Sequence, residues 1–282
     1  MIINKKIIII GGGPAGVASS ILLSRNKLPV LLIEKYKIGG LIRFANLIEN
    51  YPGMPDGING EQFTFLLDKH LKNINTDIVY DNISSVTYKN RFSLQGVTNT
   101  YSCEFLIVAT GSKPRKIKSN YSNFISYDFS KFINKRDEHI AIIGGGDIAF
   151  DFALTLSLNN RVNILIRNIP CCNDVLLERA KNNKNIFIYE NFSICNIIKN
   201  NESYEIVSHE QNRIIANSIF GAIGRENNLP KLLFDKKQKE LKDKFFIIGD
   251  AINNSNNRYI ICAESQGFDA AIKITKQIKS GG

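Results

Sequence analysis

Three glycines near the start of the chain have the spacing that binds the pyrophosphate of a dinucleotide. They lie in the run Gly11-Gly12-Gly13-Pro14-Ala15-Gly16. The first glycine of such a run allows a tight turn, the second lets the backbone approach the phosphates, and the third lets a helix pack closely on a strand. The helix that begins there directs free N–H groups at the phosphates. We therefore predict that Gly11, Gly13 and Gly16, with Pro14 and Ala15, bind a dinucleotide.

The flanking residues predict the elements that must position this turn. Ile7–Ile10 is a run of four isoleucines, which is typical of a strand buried on both faces. Residues 17–25 have helical apolar spacing, and residues 29–34 predict a second strand that ends in Glu34. Glu34 follows Gly11 by 23 residues, which suits an acid that binds a ribose hydroxyl pair. Because strand, turn, helix and acid all occur together, we favour a dinucleotide site over a glycine-rich turn without a ligand.

A second run of the same kind begins 133 residues later. Residues 140–143 are again apolar and precede Gly144-Gly145-Gly146-Asp147-Ile148-Ala149. The third glycine is replaced by Ala149, which is an accepted variant of the motif. Two such motifs in one chain are much more specific than one.

Composition places the chain among two-domain globular proteins. It has 282 residues, of which 44% are hydrophobic. The sequence contains no apolar stretch of the ~18 residues that a membrane span needs. The N-terminal apolar run is too short for a signal peptide and lacks a small-residue cleavage site. We therefore expect a cytoplasmic protein with no membrane partner.

The cysteines, the histidines and the net charge further limit the kinds of site and partner that we expect. The five cysteines are odd in number and irregularly spaced, and the three histidines lie far apart, so neither a disulfide framework nor a metal site is expected. The formal charge is +10. Because no run of five lysines or arginines occurs, we expect no nucleic-acid binding, and an acidic protein partner is more plausible.

The segment between the two glycine runs predicts a helix and several strands. Residues 60–71 have helical spacing. Residues 77–80, 83–88, 91–97 and 104–108 are rich in β-forming residues and predict an antiparallel meander that returns to a parallel sheet. The last of these runs ends in the turn Ala109-Thr110-Gly111.

Four features of the chain, in the order in which they occur, resemble those of thioredoxin reductase-like flavoproteins. They are the first glycine run, the Gly39-Gly40 loop, Glu49-Asn50-Tyr51-Pro52-Gly53 and Ala109-Thr110-Gly111. Farther along, Phe220-Gly221-Ala222-Ile223-Gly224-Arg225 and Phe245-Phe246-Ile247-Ile248-Gly249-Asp250-Ala251 fit the same family. The resemblance covers essentially the whole chain.

This resemblance implies an α/β fold with two Rossmann-like, three-layer ββα domains, the second inserted in the first. An FAD domain would comprise about residues 1–115 and 242–282, an NAD(P) domain about 116–241, and the protein would be a homodimer. The final helix would begin near Arg258 and direct its N–H groups at the flavin edge, where negative charge develops on reduction. Beyond the first glycine run and Glu34, the implied FAD-binding residues are Gly40, Leu41, Asn50, Ala109, Thr110, Gly111, Gly249, Asp250, Tyr259 and Ile260.

The second glycine run would hold the nicotinamide coenzyme. The strand after it, predicted over 161–168, ends without an acid, and an arginine there favours the 2′-phosphate of NADP. NADPH-using relatives have a His-Arg-Arg cluster and a later arginine, whereas this chain keeps only Arg167 and has Cys172 at the later position. Arg179 could substitute. NADPH is favoured, and NADH or a degenerate site remain alternatives. The implied coenzyme-binding residues are Gly144, Gly146, Asp147, Ile148, Arg167, Ile223 and Gly224.

The main departure from thioredoxin reductases concerns thiols. Those enzymes carry a Cys-x-x-Cys pair before the second glycine run, but this chain has no cysteine between Gly111 and Gly144. The matching stretch is residues 124–129. The run that begins at Gly144 resembles instead the Gly-Gly-Gly-Asp-x-Ala-x-Asp-x-Ala-Leu sequence of thioredoxin reductase-like ferredoxin/flavodoxin–NADP reductases, which also lack the pair.

The sequence therefore predicts an FAD-dependent NAD(P)H oxidoreductase that acts without a redox disulfide. A ferredoxin or flavodoxin is the expected acceptor, since the basic chain suits an acidic carrier. No catalytic side chain is assigned, because hydride transfer to a flavin requires no acid or base. Two alternatives remain: a disulfide reductase using Cys262 or the Cys171–Cys172 pair, and a flavin-binding module without catalysis.

Overall fold

A computed structural model describes residues 2–236, 241, 243–253 and 257–280. The helices are α1 (Pro14–Arg25), α2 (Gly60–Asn73), α3 (Asp147–Leu156), α4 (Asp174–Lys181) and α5 (Ile260–Ser280). The strands are β1 (Ile2–Asn4), β2 (Ile7–Ile10), β3 (Val30–Glu34), β4 (Asp77–Tyr80), β5 (Ser85–Tyr88), β6 (Phe92–Gln95), β7 (Thr100–Cys103), β8 (Phe105–Val108), β9 (Ser112–Pro114), β10 (His139–Ile143), β11 (Arg161–Leu165), β12 (Ile186–Tyr189), β13 (Ile194–Asn200), β14 (Ser203–Ser208), β15 (Arg213–Ala216), β16 (Ser218–Gly221), β17 (Arg225–Asn227), β18 (Lys231–Leu232) and β19 (Phe245–Ile247).

The chain divides into two compact units. Unit 1 comprises Met1–Arg43, Ile48–Lys113 and Asn227–Gly282, and unit 2 comprises Phe44–Leu47 and Pro114–Glu226. Unit 1 resumes at Asn227, whereas the predicted FAD domain resumes at about residue 242. The reason is that β18 pairs with β5 and Leu241 is buried in the core of unit 1. Residue 242 itself lies outside the described residues.

Unit 1 has three layers, as the isoleucine run of β2 requires. Its parallel sheet has the order β19-β8-β2-β3-β4, and a second sheet has the order β1-β7-β6-β5-β18. Ile7 and Ile9 contact the helical layer, which includes α1 and α5, whereas Ile8 and Ile10 contact the second sheet. Successive side chains of a strand point to opposite faces, so a strand between two layers must be apolar throughout.

Unit 2 repeats this arrangement at a smaller size. Its parallel sheet has the order β12-β11-β10-β16, and β13, β14 and β15 form an antiparallel sheet. Ile140 and Ile142 pack toward α3, and Ala141 and Ile143 pack toward the antiparallel sheet. The predicted α/β class with two dinucleotide-type domains is confirmed.

Two strand predictions were wrong in detail. Residues 77–80 do not belong to a meander, because β4 pairs in parallel with β3 at the edge of the main sheet. The sequence analysis did not predict β7. Its buried Tyr101 and Cys103 alternate with the polar Thr100 and Ser102, so the segment has no apolar run that indicates a strand.

A buried carboxylate explains where the missed strand begins. Asp81 accepts hydrogen bonds from the amides of Val97, Thr98 and Asn99 and from the hydroxyl of Tyr101. These bonds fix a turn that ends β6 at Gln95 and starts β7 at Thr100. Burial alone would raise the pKa of Asp81, but the hydrogen bonds hold it well below its ordinary value.

The lengths and composition of the helices bear on the expectation that the chain has no membrane span. Within the described ranges, no helix combines the length and apolar character needed to cross a membrane.

Candidate functional site

The first glycine turn has the geometry that its sequence predicts. Gly11 has a φ of +106°, and a Cβ on it would overlap the carbonyl oxygen of Ala109. A Cβ on Gly16 would overlap the carbonyl oxygen of Gly11. In contrast, no described atom lies within 4 Å of the Cβ position of Gly13. Two of the glycines are therefore required by packing, and the third leaves the open space that a phosphate needs.

Glu34 is tied directly to this turn. One oxygen of its carboxylate accepts from the amide of Gly12 at 2.6 Å, and the other accepts from the amide of Tyr36 at 2.9 Å. The side chain is only 8% exposed. Each carboxylate oxygen has two lone pairs, so these bonds orient Glu34 and leave acceptor capacity for a ribose hydroxyl.

Two other predicted segments reach the same turn. The amide of Gly39 donates to the carbonyl of Gly12 at 2.7 Å, and the Cβ position of Gly40 lies 3.5 Å from the Cα of Gly13. The amide of Ala109 donates to the carbonyl of Ile10 at 2.8 Å, which places Thr110 and Gly111 just beyond. The structure thus gathers residues that lie about 100 positions apart in sequence at the carboxyl end of β2.

The last predicted segment of unit 1 joins them through Gly249. This residue has a φ of +64°, and its Cβ position lies 3.0 Å from the Cβ of Ala15. Asp250 follows it in a short 3-10 turn. Leu41, Asn50 and Tyr259 have exposed side chains, and Ile260 is the first residue of α5. Helix α5 therefore begins two residues after the predicted start at Arg258.

Sequence reasoning missed the polar side chains that hold these segments together. The side-chain oxygen of Gln266, on α5, accepts from the amide of Gly249 at 2.6 Å, and its nitrogen donates to Asn253 at 2.8 Å. The amide of Asn228 donates to the carbonyl of Gly111 at 3.0 Å, and the Thr110 hydroxyl donates to the carbonyl of Asn228. Single polar residues of this kind carry no pattern in the sequence.

The second glycine turn, in unit 2, follows the same plan. Gly144 has a φ of +145°, and its Cβ would overlap the carbonyl oxygen of Ala222. The amide of Ala222 donates to the carbonyl of Ile143 at 2.8 Å, which sets Ile223 and Gly224 beside the turn. Ala149 is fully buried, so its methyl group fits where the first turn requires glycine.

The loop after β11 covers part of this second turn. Strand β11 ends at Leu165, three residues earlier than predicted, and Arg167 follows with an exposed side chain. The amide of Cys171 donates to the carbonyl of Gly145 at 2.8 Å, and its sulfur lies 4.0 Å from the Cβ position of Gly146. The amide of Asn173 donates to the carboxylate of Asp147 at 2.7 Å.

A further cation beside this turn was not predicted. The amide of Arg115 donates to the carbonyl of Gly224 at 3.0 Å, and its Cδ lies 3.9 Å from the Cβ position of Gly224. The only sequence signal is a basic cluster after Gly111, at Lys113, Arg115 and Lys116.

The stretch that replaces the Cys-x-x-Cys pair belongs to the core of unit 2. Ser126 exchanges backbone hydrogen bonds with Ile219 and Gly221 at 2.9 and 2.8 Å. The ring of Phe129 stacks on that of Phe152 with centroids 3.7 Å apart, and Phe129 is 4% exposed. Backbone hydrogen bonds and ring packing therefore hold this segment in the core of unit 2, and it contains no cysteine.

The cysteines are all free thiols in different surroundings. Cys171 is exposed, whereas Cys103 is fully buried and burial raises the pKa of its thiol strongly. Burial, with the charge of Asp147, raises the pKa of Cys172 to about 11. Among the described residues, no group of three or more His, Cys, Asp or Glu side chains could hold a metal ion.

Comparisons with known proteins agree with the fold and the two turns. A family model described as pyridine nucleotide-disulphide oxidoreductase matches residues 5–259. The thioredoxin reductase of Buchnera aphidicola subsp. Schizaphis graminum is 33% identical over 87% of this chain and 82% of its own length. The thioredoxin reductase of Rickettsia prowazekii is 26% identical, covering 98% of this chain and 99% of its own. A crystal structure of Lactococcus lactis thioredoxin reductase has a TM-score of 0.84 at 21% identity, covering 98% of this chain and 99% of that one.

Proposed function

Since this chain belongs to the pyridine nucleotide-disulphide oxidoreductase family and is an FAD-dependent NAD(P)H oxidoreductase, we propose that it passes electrons to a small acidic redox protein without a redox-active disulfide. The observation that carries this proposal is the packing of the cysteine-free segment at residues 124–129, which the family resemblance matches to the thiol-bearing segment of thioredoxin reductases. A disulfide cannot be reduced through thiols that are absent.

The first turn is the proposed FAD site, and its residues fit the cofactor. Gly13 leaves room for the pyrophosphate, the N-terminus of α1 faces it, and Glu34 is oriented toward a ribose. Gly249 and Asp250 are held against this turn by Gln266. When bound, FAD accepts a hydride from the nicotinamide and passes electrons onward.

The second turn is the proposed NADPH site. Gly144, Gly146 and the N-terminus of α3, with Asp147 and Ile148, would hold the pyrophosphate. Two arginines are candidates to bind its phosphates. Arg115 lies beside Gly224, and Arg167 follows β11. We propose NADPH over NADH because β11 is followed by an arginine and not by an acid.

The proposed acceptor is a ferredoxin or flavodoxin. The net charge of +10 favours an acidic partner, and such encounters are steered by long-range attraction. Its reduction rate should therefore fall steeply between low salt and physiological salt, where charges are screened beyond about 8–10 Å. A rate that does not change with salt would favour a small-molecule acceptor.

The test is anaerobic mixing of the flavin-loaded protein with NADPH and, separately, with NADH. We expect the flavin absorbance to bleach within about a second with NADPH, as for typical turnover rates of 1–10³ per second. Ferredoxin, flavodoxin and oxidised thioredoxin are then added in turn. Bleaching with neither coenzyme would contradict the proposal and would favour a flavin-binding module without catalysis.

A thioredoxin-disulfide reductase that uses atypical cysteines is the second candidate. It is favoured by the relatives, which are themselves thioredoxin reductases. Cys262 on α5 and the Cys171–Cys172 pair are the thiols it would use. Replacing all five cysteines by serine separates the two candidates, because thioredoxin reduction would be lost whereas ferredoxin or flavodoxin reduction would remain.

We further propose a cytoplasmic homodimer, which is an expectation from the family resemblance. Light scattering coupled to gel filtration measures the mass directly. A mass near 31.7 kDa at micromolar concentration would contradict the dimer.

A further inference from the structure

Two residues in unit 1 connect the Asn50 loop to helix α5. The hydroxyl of Tyr51 donates to a carboxylate oxygen of Glu264 at 2.8 Å. The ring of Tyr51 also packs edge-on against Phe63 of α2, with centroids 5.1 Å apart and an interplanar angle of 70°. Tyr51 therefore lies between two helices and touches both.

The same loop is closed at its base. Ile48 and Ile58 exchange backbone hydrogen bonds of 2.8 and 3.0 Å, so residues 48–58 form a closed loop. Asn50 lies inside this loop, next to Tyr51, and its side chain is exposed. The base of the loop is thus fixed by backbone pairing, and its Asn50 end is fixed through Tyr51.

Partial burial of the Glu264 carboxylate costs free energy, which the hydrogen bond from Tyr51 offsets only in part. Glu264 is partly buried, and burial raises the pKa of its carboxyl, an effect that the Tyr51 hydrogen bond partly offsets. Burial and the neighbouring Glu264 raise the pKa of Tyr51 to about 12. Tyr51 is therefore a neutral donor at physiological pH, as the bond requires. A phenylalanine at 51 and an apolar residue at 264 would fill the same space without this cost.

We propose that Tyr51 and Glu264 are a positioning pair that holds the Asn50 loop in place for bound FAD. The inference rests on the proposed function, in which Asn50 and the first turn of α5 belong to the FAD site. The Tyr51–Glu264 bond joins two segments of the proposed FAD site that lie more than 200 residues apart in sequence. Breaking it would leave both segments folded but no longer fixed to each other.

Three substitutions separate the bond from the charge. Tyr51→Phe removes the donor and keeps the ring, Glu264→Ala removes the acceptor, and Glu264→Gln keeps an acceptor without the charge. Asp269→Asn is the matched control, because it removes the same charge from an exposed pair with Lys273 on the same helix. Circular dichroism of each apo-protein shows whether it is folded.

The measurements are the Kd for FAD, by titration of the apo-protein, and the midpoint potential of the bound flavin. We expect Tyr51→Phe and Glu264→Ala to weaken FAD binding about tenfold, and Glu264→Gln and Asp269→Asn to stay within threefold of the parent. If the pair positions the flavin, its potential should also move in Tyr51→Phe, by about 15 mV for a threefold change in the relative affinity for oxidised and reduced FAD.

The outcomes separate the two levels of the proposal. If the parent protein binds FAD and Tyr51→Phe binds it equally well with the same potential, the positioning pair is refuted and the FAD site stands. Equal losses in Glu264→Gln and Glu264→Ala would also refute it, since the acceptor would not matter. If the folded parent protein binds no FAD, the proposed function itself fails.

Discussion

The two glycine turns have the same backbone plan and different ligand-facing surroundings. In both, the first glycine has a positive φ and packs against a neighbouring carbonyl, Ala109 in unit 1 and Ala222 in unit 2. The space beside Gly13 is open, whereas the corresponding Gly146 has the sulfur of Cys171 nearby, 4.0 Å from its Cβ position. The first turn is followed by an acid that binds the turn itself, and the second by Arg167 and a cysteine-containing loop.

This comparison separates the part of the motif that fixes the backbone of the turn from the residues that differ between the two units. The glycines are fixed by contacts between the backbone and its own neighbours, and these contacts are alike in both units. The residues after the next strand differ, because Glu34 is buried and bonded to its own turn whereas Arg167 is exposed. The predictions below test this division, beginning with the largest expected effect.

Substitution at the third position of the motif should destabilise the two units by different amounts. Gly16→Ala places a methyl group on the carbonyl of Gly11, so we expect a loss of about 3 kcal/mol in the free energy of unfolding and loss of bound FAD. Ala149→Gly in the second turn should cost only about 1 kcal/mol, the helix propensity difference. Urea unfolding of both variants measures this, and equal losses would contradict the distinction.

A partly buried carboxylate one turn into α3 has no counterpart in α1. Asp151 accepts from the amide of Asn46 with both oxygens, at 3.1 and 3.2 Å, whereas the matching residue of α1 is Ala18. Burial raises the pKa of Asp151 to about 6, and the charge of Asp147 adds to this. The native state therefore binds a proton between about pH 4 and 6 that the unfolded chain does not, so this group makes the wild type less stable as pH rises.

Asp151→Asn removes that titration and keeps an acceptor for Asn46. We expect the variant to gain stability relative to wild type on going from pH 4 to pH 8, by an amount on the order of 2 kcal/mol. Urea unfolding at several pH values measures the difference. Ala18→Ser in α1 is the control, since it adds no titrating group. A stability difference that is the same at all pH values would rule out an ionisable cause.

The coenzyme choice should depend on the loop that distinguishes the second turn. Asn168→Arg combined with Cys172→Arg restores cations that NADPH-using relatives carry, so we expect the KM for NADPH to fall about tenfold, or about 1.4 kcal/mol, with little change for NADH. Asn200→Arg, at the end of β13, adds one positive charge on a hairpin, against two in the double variant, and serves as control together with the two single variants. A similar fall with NADH would indicate general attraction and not recognition of the 2′-phosphate.

The smallest expected effect is chemical protection of the cysteine beside Gly146. Cys171 is exposed, so we expect iodoacetamide to label it before Cys172 and Cys103, whose thiol pKa values are raised by burial. Saturating NADPH should slow labelling of Cys171 at least about threefold and FAD should not. Peptide mass spectrometry with Cys195 as the internal reference measures both rates. Unchanged labelling would place the coenzyme away from this loop.

Local sequence patterns predicted the parallel strands and the turns well and the polar connections poorly. The four isoleucines of β2 and the similar run of β10 indicated buried strands because each is covered on both faces. The short strand β7 escaped, since its exposed positions are polar and its turn depends on Asp81. The return of the chain to unit 1 at Asn227 has no local sequence signal, because it depends on the pairing of β18 with β5, across more than 140 residues.

The sequence by itself determined the two glycine turns and the strands that precede them. Gly11 and Gly144 have positive φ, which glycine adopts most readily, and a Cβ on Gly16 would overlap the carbonyl of Gly11 only five residues earlier, so these requirements arise within the turns themselves. Tertiary structure alone decided which distant side chains meet: Gln266 with Gly249, Asn228 with Gly111, and Tyr51 with Glu264. A hydrogen bond between residues far apart depends on the path of the whole intervening chain, and no local pattern records that path.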